Sequence, residues 1–173
     1  MKYAIKARNM TLRSPQIADA PVVIPYINDR LVKRFTTIPS PYRKKDWLVW
    51  VKSVHAQIRK KQPGKYNFMI EVEQRPIGSI SLDHVTPKHK ATLGYWLAKE
   101  FRNKGIMQEA VGAITRFGFA QLKLQRIEAT VDITNKASRR VLEKNGFKVE
   151  GVQKKGVMHR GQLRDVYMLA KVR

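Results

Sequence analysis

Apolar residues recur along this chain with two clear periods. Ile106, Ala110, Ala113, Phe117 and Ala120 follow one another at four, three, four and three positions. That spacing puts them on one face of a helix and predicts a long helix packed on a sheet. Trp47, Val51, Val54 and Ile58 keep the same spacing, with lysines and arginines on the other face, and Gln62-Pro63-Gly64 is expected to end that helix. A period of two governs residues 126–133. Ile127, Ala129, Val131 and Ile133 share one face, and Glu128, Thr130 and Asp132 share the other. The run Ile77–Val85 alternates likewise: Ile80 and Leu82 oppose Ser79, Ser81 and Asp83.

Other elements follow from punctuation. Thr11 to Arg13 is expected to continue a first strand. Asp19 before Ala20-Pro21 reads as an N-cap with proline in the first turn, and Pro25 keeps that helix short or kinked. Pro39-Ser40-Pro41 is a break. Tyr66–Glu73 is a strand, with a turn at Gln74-Arg75-Pro76, and Thr92–Leu97 is another strand. A helix is expected from Lys136 to Asn145. Gly146 then supplies a left-handed residue, and Phe147 packs back on Leu142. Two last strands, 148–157 and 163–172, join near Arg160-Gly161. This order predicts an α/β fold: one mixed, mostly antiparallel sheet of about seven strands with helices on both faces.

Length and composition add a frame. With 173 residues, 43% of them hydrophobic, the chain is expected to form a single domain over 1–173. It has no cysteine, which excludes disulfides and thiolate metal sites. Its four histidines show no metal spacing, so no metal is expected. No apolar run is long enough to span a membrane, and the first residues lack a hydrophobic secretion core. The expected location is the cytoplasm. The charge is the outlier: 35 Lys and Arg against 13 Asp and Glu leave a formal +22. Between Arg30 and Lys65 stand 11 basic residues and one acid, Asp46. Such an excess attracts polyanions, so contact with RNA or a ribosome stands beside a plain solvated basic surface.

Two segments carry candidate chemistry. In Arg102-Asn103-Lys104-Gly105-Ile106-Met107 a basic turn with a glycine leaves a strand and opens the long helix. A helix start offers free N–H groups and its positive dipole end, and glycine permits close backbone approach. That suits a pyrophosphate. The second segment is Asn135-x-x-Ser138, followed by Glu143-Lys144-Asn145-Gly146-Phe147. From composition alone, Asn135 and Ser138 read first as residues that cap a helix.

The first segment resembles the acetyl-coenzyme A motif of the GNAT superfamily of N-acetyltransferases, Gln/Arg-x-x-Gly-x-Gly/Ala. Arg102 and Gly105 match, and Met107 departs from the last position. Gly94-Tyr95-Trp96-Leu97 before it, and the Asn135–Phe147 segment after it, are similar to the branch that acetylates serine or alanine N-termini of ribosomal proteins. The likeness runs from Ile77 to Leu169 and is faint before residue 66. It implies acetyl-CoA as cosubstrate. It implies that the pantetheine arm lies along Tyr95, Trp96 and Leu97, where that strand splays from 126–133. The pyrophosphate would rest on the amides of Asn103–Met107, with charge from Arg102 and Lys104. Asn135 would contact the arm, and Ser138 would face the thioester sulfur.

The chemistry is amine attack on a thioester with loss of a thiolate. A thiol pKa of about 8.5 makes that thiolate a weak base, which a hydrogen-bond donor can stabilise. Many superfamily members place an acidic tyrosine four residues after the Ser138 position. Leu142 stands there, which favours Ser138 as the donor. The base is missing from the two places where relatives carry a Glu, here Ala91-Thr92-Leu93 and Val157. Asp83, His84 and Glu100 remain, each reading more simply as structural. An α-amine of pKa ~7.7–8.0 is roughly 10–20% neutral at pH 7, and a lysine amine about 0.04%. A site without a strong base therefore suits an α-amine. Among the large aromatics, only Tyr95 and Trp96 are expected near the site.

The reading is an acetyl-CoA-dependent N-acetyltransferase acting directly in a ternary complex, with Ser138 and Asn135 as catalytic residues and a protein N-terminus, a ribosomal one among the options, as acceptor. A small amine as acceptor is one alternative. A catalytically weak RNA- or ribosome-binding protein of the same fold is another. A homodimer is left open.

Overall fold

The computed structural model describes residues 4–173. Eight strands form one sheet in the order β1-β2-β3-β4-β5-β6-β8-β7. They are β1 (Ala4–Lys6), β2 (Thr11–Arg13), β3 (Tyr66–Val72), β4 (Arg75–Thr86), β5 (Lys90–Leu97), β6 (Arg126–Asp132), β7 (Lys148–His159) and β8 (Gln162–Val172). The helices are α1 (Ala20–Ile27), α2 (Arg30–Phe35), α3 (Lys44–Ile58), α4 (Ile106–Ala120) and α5 (Lys136–Lys144). All neighbouring strands are antiparallel except β5 and β6, which the crossover helix α4 joins in parallel.

Several expectations shift. Thr11–Arg13 does not continue a first strand. The chain reverses between residues 7 and 10, with Ala7 N donating to Met10 O at 2.9 Å, so two short strands pair, and the described residues form eight strands, in keeping with the expected sheet of about seven. The β3–β4 turn lies at Glu73-Gln74, both at positive φ, and Arg75-Pro76 already belong to β4. Helix α3 ends at Ile58, four residues before Gln62. Asp19 does not cap α1 through its side chain; it takes Arg13 and the Gln16 amide instead. Helix α2 has no apolar stripe long enough to show in the sequence.

Strand alternation sends side chains into two cores. Phe68, Ile70, Ile80 and Leu82 pack beneath Ala110, Ala113 and Ile114 of α4. Gly118 lets α4 approach closely: a Cβ there would lie 2.9 Å from Ile127 Cδ1. Met69, between Phe68 and Ile70, points to the opposite face and joins Val23, Trp47 and Val51 of α1 and α3. Helix α5 lies on the α4 side through Leu142, and Phe147 N donates to Leu142 O as Gly146 turns the chain at φ +81°. Among the described residues, no helix is long and apolar enough to cross a membrane.

Candidate active site

The strand register opens a wedge in the middle of the sheet. β5 and β6 pair only from Lys90–Thr92 to Arg126–Glu128. Beyond that point β5 stays bonded to β4 through Leu97, and β6 stays bonded to β8 through Asp132. The facing edges of Leu93–Leu97 and Ala129–Asp132 therefore part. Backbone groups on such edges call for partners. A cleft of about 1190 Å3 runs through the wedge, lined by Tyr95, Trp96 and Leu97 on one side and by Ala129–Asp132 on the other.

The start of α4 opens into this cleft. Gly105 occupies the N-cap position at φ +76°, and no side chain caps the helix. Asn103 is also left-handed, at φ +61°. The first amides of α4, those of Ile106 and Met107, therefore have neither a side-chain cap nor an intrahelical partner. Asn103, Gly105, Ile106 and Met107 all line the cleft. Two basic side chains differ from expectation. Arg102 turns back: Nε and Nη2 both donate to Leu97 O, at 3.1 and 3.0 Å, and Nη2 approaches Asp29 Oδ1 at 3.4 Å. It braces the end of β5 against the start of α2. Lys104 is exposed, with its ammonium 5.6 Å above the Phe101 ring, and it is not part of the cleft wall.

Asn135 and Ser138 face the wedge from the start of α5. Asn135 Oδ1 accepts from Ser138 N at 3.1 Å, so the capping role expected of it is present. Tyr95 meets them from across the wedge: its hydroxyl is 2.8 Å from Ser138 Oγ and donates to Ser138 O at 3.3 Å. Burial pushes the Tyr95 phenol up to about 12, against a smaller opposing effect of its bond to Ser138. The phenol therefore holds its proton throughout the neutral range. The alternation of β5 gave no hint of this contact, because it joins residues 43 positions apart.

The cleft also extends to the α1–α3 face. Trp47 and Trp50 line it, with ring centroids 5.0 Å apart, so the aromatic wall is larger than Tyr95 and Trp96 alone. Trp47 does this while only 1% exposed, from the apolar stripe of its helix. The segment from Leu31 to Pro39 forms a further wall. Distant residues hold it: His159 Nε2 bonds Thr36 O at 3.0 Å, and Arg160 donates to Lys33 O and Ile38 O at 3.2 and 3.0 Å. Its only local signal is Asp29, which caps α2 through Leu31 N and Val32 N. Of the three candidate bases, Asp83 lines the cleft, while His84 and Glu100 are exposed and outside it. Val157 lines it without a titratable group. Among the described residues, no group of three His, Asp or Glu is placed to hold a metal.

A split parallel strand pair, a glycine-opened helix start and a long open cleft therefore occupy one locus. Residues 9–148 match the acetyltransferase (GNAT) domain family. The chain belongs to the GNAT acetyltransferase family. With that family comes acetyl-CoA as cosubstrate and an amine as acceptor. The probable N-acetyltransferase YjcK of Bacillus subtilis (strain 168) is 41% identical over 118 residues, 66% of this chain and 65% of that protein. The crystal structure of a GNAT-family acetyltransferase from Bacillus anthracis superposes with TM-score 0.84 at 28% identity, covering 98% of each chain. The ribosomal-protein-S5-alanine acetyltransferase from Vibrio fischeri superposes with TM-score 0.83 at 25% identity, over 98% of this chain and 96% of that one.

Proposed function

We propose that this GNAT protein transfers the acetyl group of acetyl-CoA to the α-amine of a protein N-terminus, with ribosomal proteins as the first candidates. The observation that carries the reading is the Tyr95–Ser138 pair at the wedge, 2.8 Å apart and lining the same cleft as the uncapped start of α4. The unpaired edge of Tyr95, Trp96 and Leu97 suits the pantetheine amides. The amides of Asn103–Met107 suit the pyrophosphate, with Lys104 adding charge from outside and Arg102 bracing the turn. Ser138 donates to the departing thiolate, and the Tyr95 phenol, protonated at neutral pH, replenishes it. Asn135 fixes the start of α5 and so the position of Ser138.

Three facts support an N-terminal acceptor. The cleft continues past the edge assigned to the cosubstrate to walls made by α3 and the Leu31–Pro39 segment. An α-amine is far more often neutral at pH 7 than a lysine amine. The Vibrio fischeri neighbour is a ribosomal-protein-S5-alanine acetyltransferase. The net charge of +22 favours a substrate carried on an RNA-rich particle, and a chain without cysteine suits the reducing cytoplasm.

The test is acetyl transfer, read by thiol release and mass spectrometry, to peptides with ribosomal-protein N-termini beside free amino acids and polyamines. Preferred turnover of N-terminal peptides is the expected result. Turnover of free amines alone would replace this reading with small-molecule acetylation.

A further inference from the structure

The cleft wall has two carboxylates, Asp83 and Asp132. Asp132 is engaged locally: its Oδ1 accepts from Thr134 N at 2.8 Å and from Thr134 Oγ1 at 2.6 Å. Asp83 is placed differently. It stands directly across the ladder from Thr92, the last residue of β5 to pair with β6. Asp83 therefore stands one strand from the vertex where the wedge begins. Buried Ser81 donates to Asp83 Oδ2 at 2.7 Å, and Lys65 Nζ lies 3.8 Å from Oδ1. A Cβ on Gly94 would lie 3.3 Å from Ser81 Oγ and 3.7 Å from Asp83 Oδ2. The carboxylate thus flanks the bare Cα of Gly94, within the unpaired edge of β5.

The two faces of the wedge are chemically unlike. Tyr95 packs with the α4-side core and bonds Ser138 there. Ser79, Ser81 and Asp83 alternate to the other face, which opens toward the walls made by α3 and the Leu31–Pro39 segment. A proton donor lies on one face, and a proton acceptor lies on the other, one strand away.

From this geometry we infer that Asp83 is the proton acceptor for the attacking amine. The inference rests on the amine-acetylating reading of the cleft. The neutral amine forms the C–N bond at the thioester carbonyl, and the C–S bond breaks with its electron pair going to sulfur. The new C–N nitrogen carries one proton too many and is far more acidic than a free ammonium. Its proton passes to the Asp83 carboxylate and from there to solvent; Ser138 gives its proton to the thiolate, Tyr95 restores Ser138, and the phenolate regains one proton from solvent. The net change is amine plus thioester to amide plus thiol.

The test compares wild type, Asp83→Asn, Asp83→Glu and the double variant Asp83→Asn/Thr92→Glu. The last moves the carboxylate across the ladder to the facing position. Acceptors are a peptide with a free N-terminal alanine, an amino-acid amide and spermidine. Asp83→Asn is expected to lower kcat by about 100-fold, the usual scale for a lost general base, with acetyl-CoA affinity and Tm unchanged. Asp83→Glu keeps more activity, and Thr92→Glu restores about tenfold of the loss. A kcat of Asp83→Asn within about threefold of wild type, or a loss matched by Thr92→Glu without recovery, overturns the inference. The amine that wild type prefers decides the proposed function separately, because the Asp83 ratio is read on whichever amine is turned over. A wild type inert toward all three overturns both.

Discussion

The Tyr95 hydroxyl lies 2.8 Å from Ser138 Oγ, across a gap between two strands that begin as paired neighbours. β5 carries Tyr95 and the start of α5 carries Ser138, so the contact spans the opening of the wedge. It gives a serine, which is a poor acid by itself, a buried phenol behind it.

Removing either partner therefore affects turnover more than binding. Ser138→Ala is expected to lower kcat by about 100-fold, and Tyr95→Phe by about tenfold, with acetyl-CoA affinity near wild type. The double variant falls little below Ser138→Ala, because residues acting in series do not add. Thiol-release kinetics at saturating substrate, with calorimetry of acetyl-CoA binding, check this.

The two left-handed glycines around the site separate binding from stability. Gly105 and Gly146 have φ of +76° and +81°, and a Cβ on Gly105 meets nothing within 4 Å. The cost of Gly105→Ala is thus in the backbone, about 1 kcal/mol. Gly146→Ala costs a similar amount, since its nearest neighbour is the flexible Lys171 side chain at 3.6 Å. Only Gly105→Ala is expected to raise the Kd for acetyl-CoA, because it alone re-aims the amides of α4. Melting curves and titration of both variants test the contrast.

Arg102 is expected to behave as a brace. Two of its nitrogens share Leu97 O, a geometry that one lysine ammonium does not reproduce. Arg102→Lys should therefore lower Tm. Asp29→Ala should destabilise by about 1 kcal/mol through loss of the α2 cap. The double variant Arg102→Lys/Asp29→Ala should cost less than the sum of the two, since both remove the 3.4 Å contact between them. Chemical denaturation of the three variants measures that coupling.

Two tyrosines set an alkaline limit. Burial pushes Tyr95 up to about 12; burial and then the nearby Asp46 charge do the same for Tyr42. In the unfolded chain a tyrosine titrates near ~10. The fold thus favours the protonated phenols. Their contribution is fully present below pH ~10 and is lost as pH rises toward the folded values. Denaturant midpoints should fall between pH 10 and 12, and Tyr95→Phe should flatten that fall. Phenolate absorbance of the native protein should show two tyrosines ionising late.

Much of the fold was legible because its period is local. The α4 stripe from Ile106 to Ala120 and the alternation of Ile127, Ala129 and Val131 each need one buried face, and the sequence repeats accordingly. The glycine-opened turn at 105 and the cap Asn135 are likewise written within a few residues. The β1–β2 reversal was not, because three-residue strands are too short for a pattern, and only pairing with β3 fixes them.

The site divides along the same line. A few neighbouring residues suffice to mark the helix starts and the places of Ser138 and Asn135, since capping and glycine conformation act over one turn. Tertiary structure alone decided that Arg102 faces Leu97 and Asp29, that Tyr95 meets Ser138, and that Asp83 flanks the vertex of the wedge. It also decided that Leu31–Pro39 forms a wall, held by His159 and Arg160 more than 120 positions away. Each of these depends on which strands pair and where the pairing stops. That is a balance of whole-sheet packing, and no short window of residues encodes it.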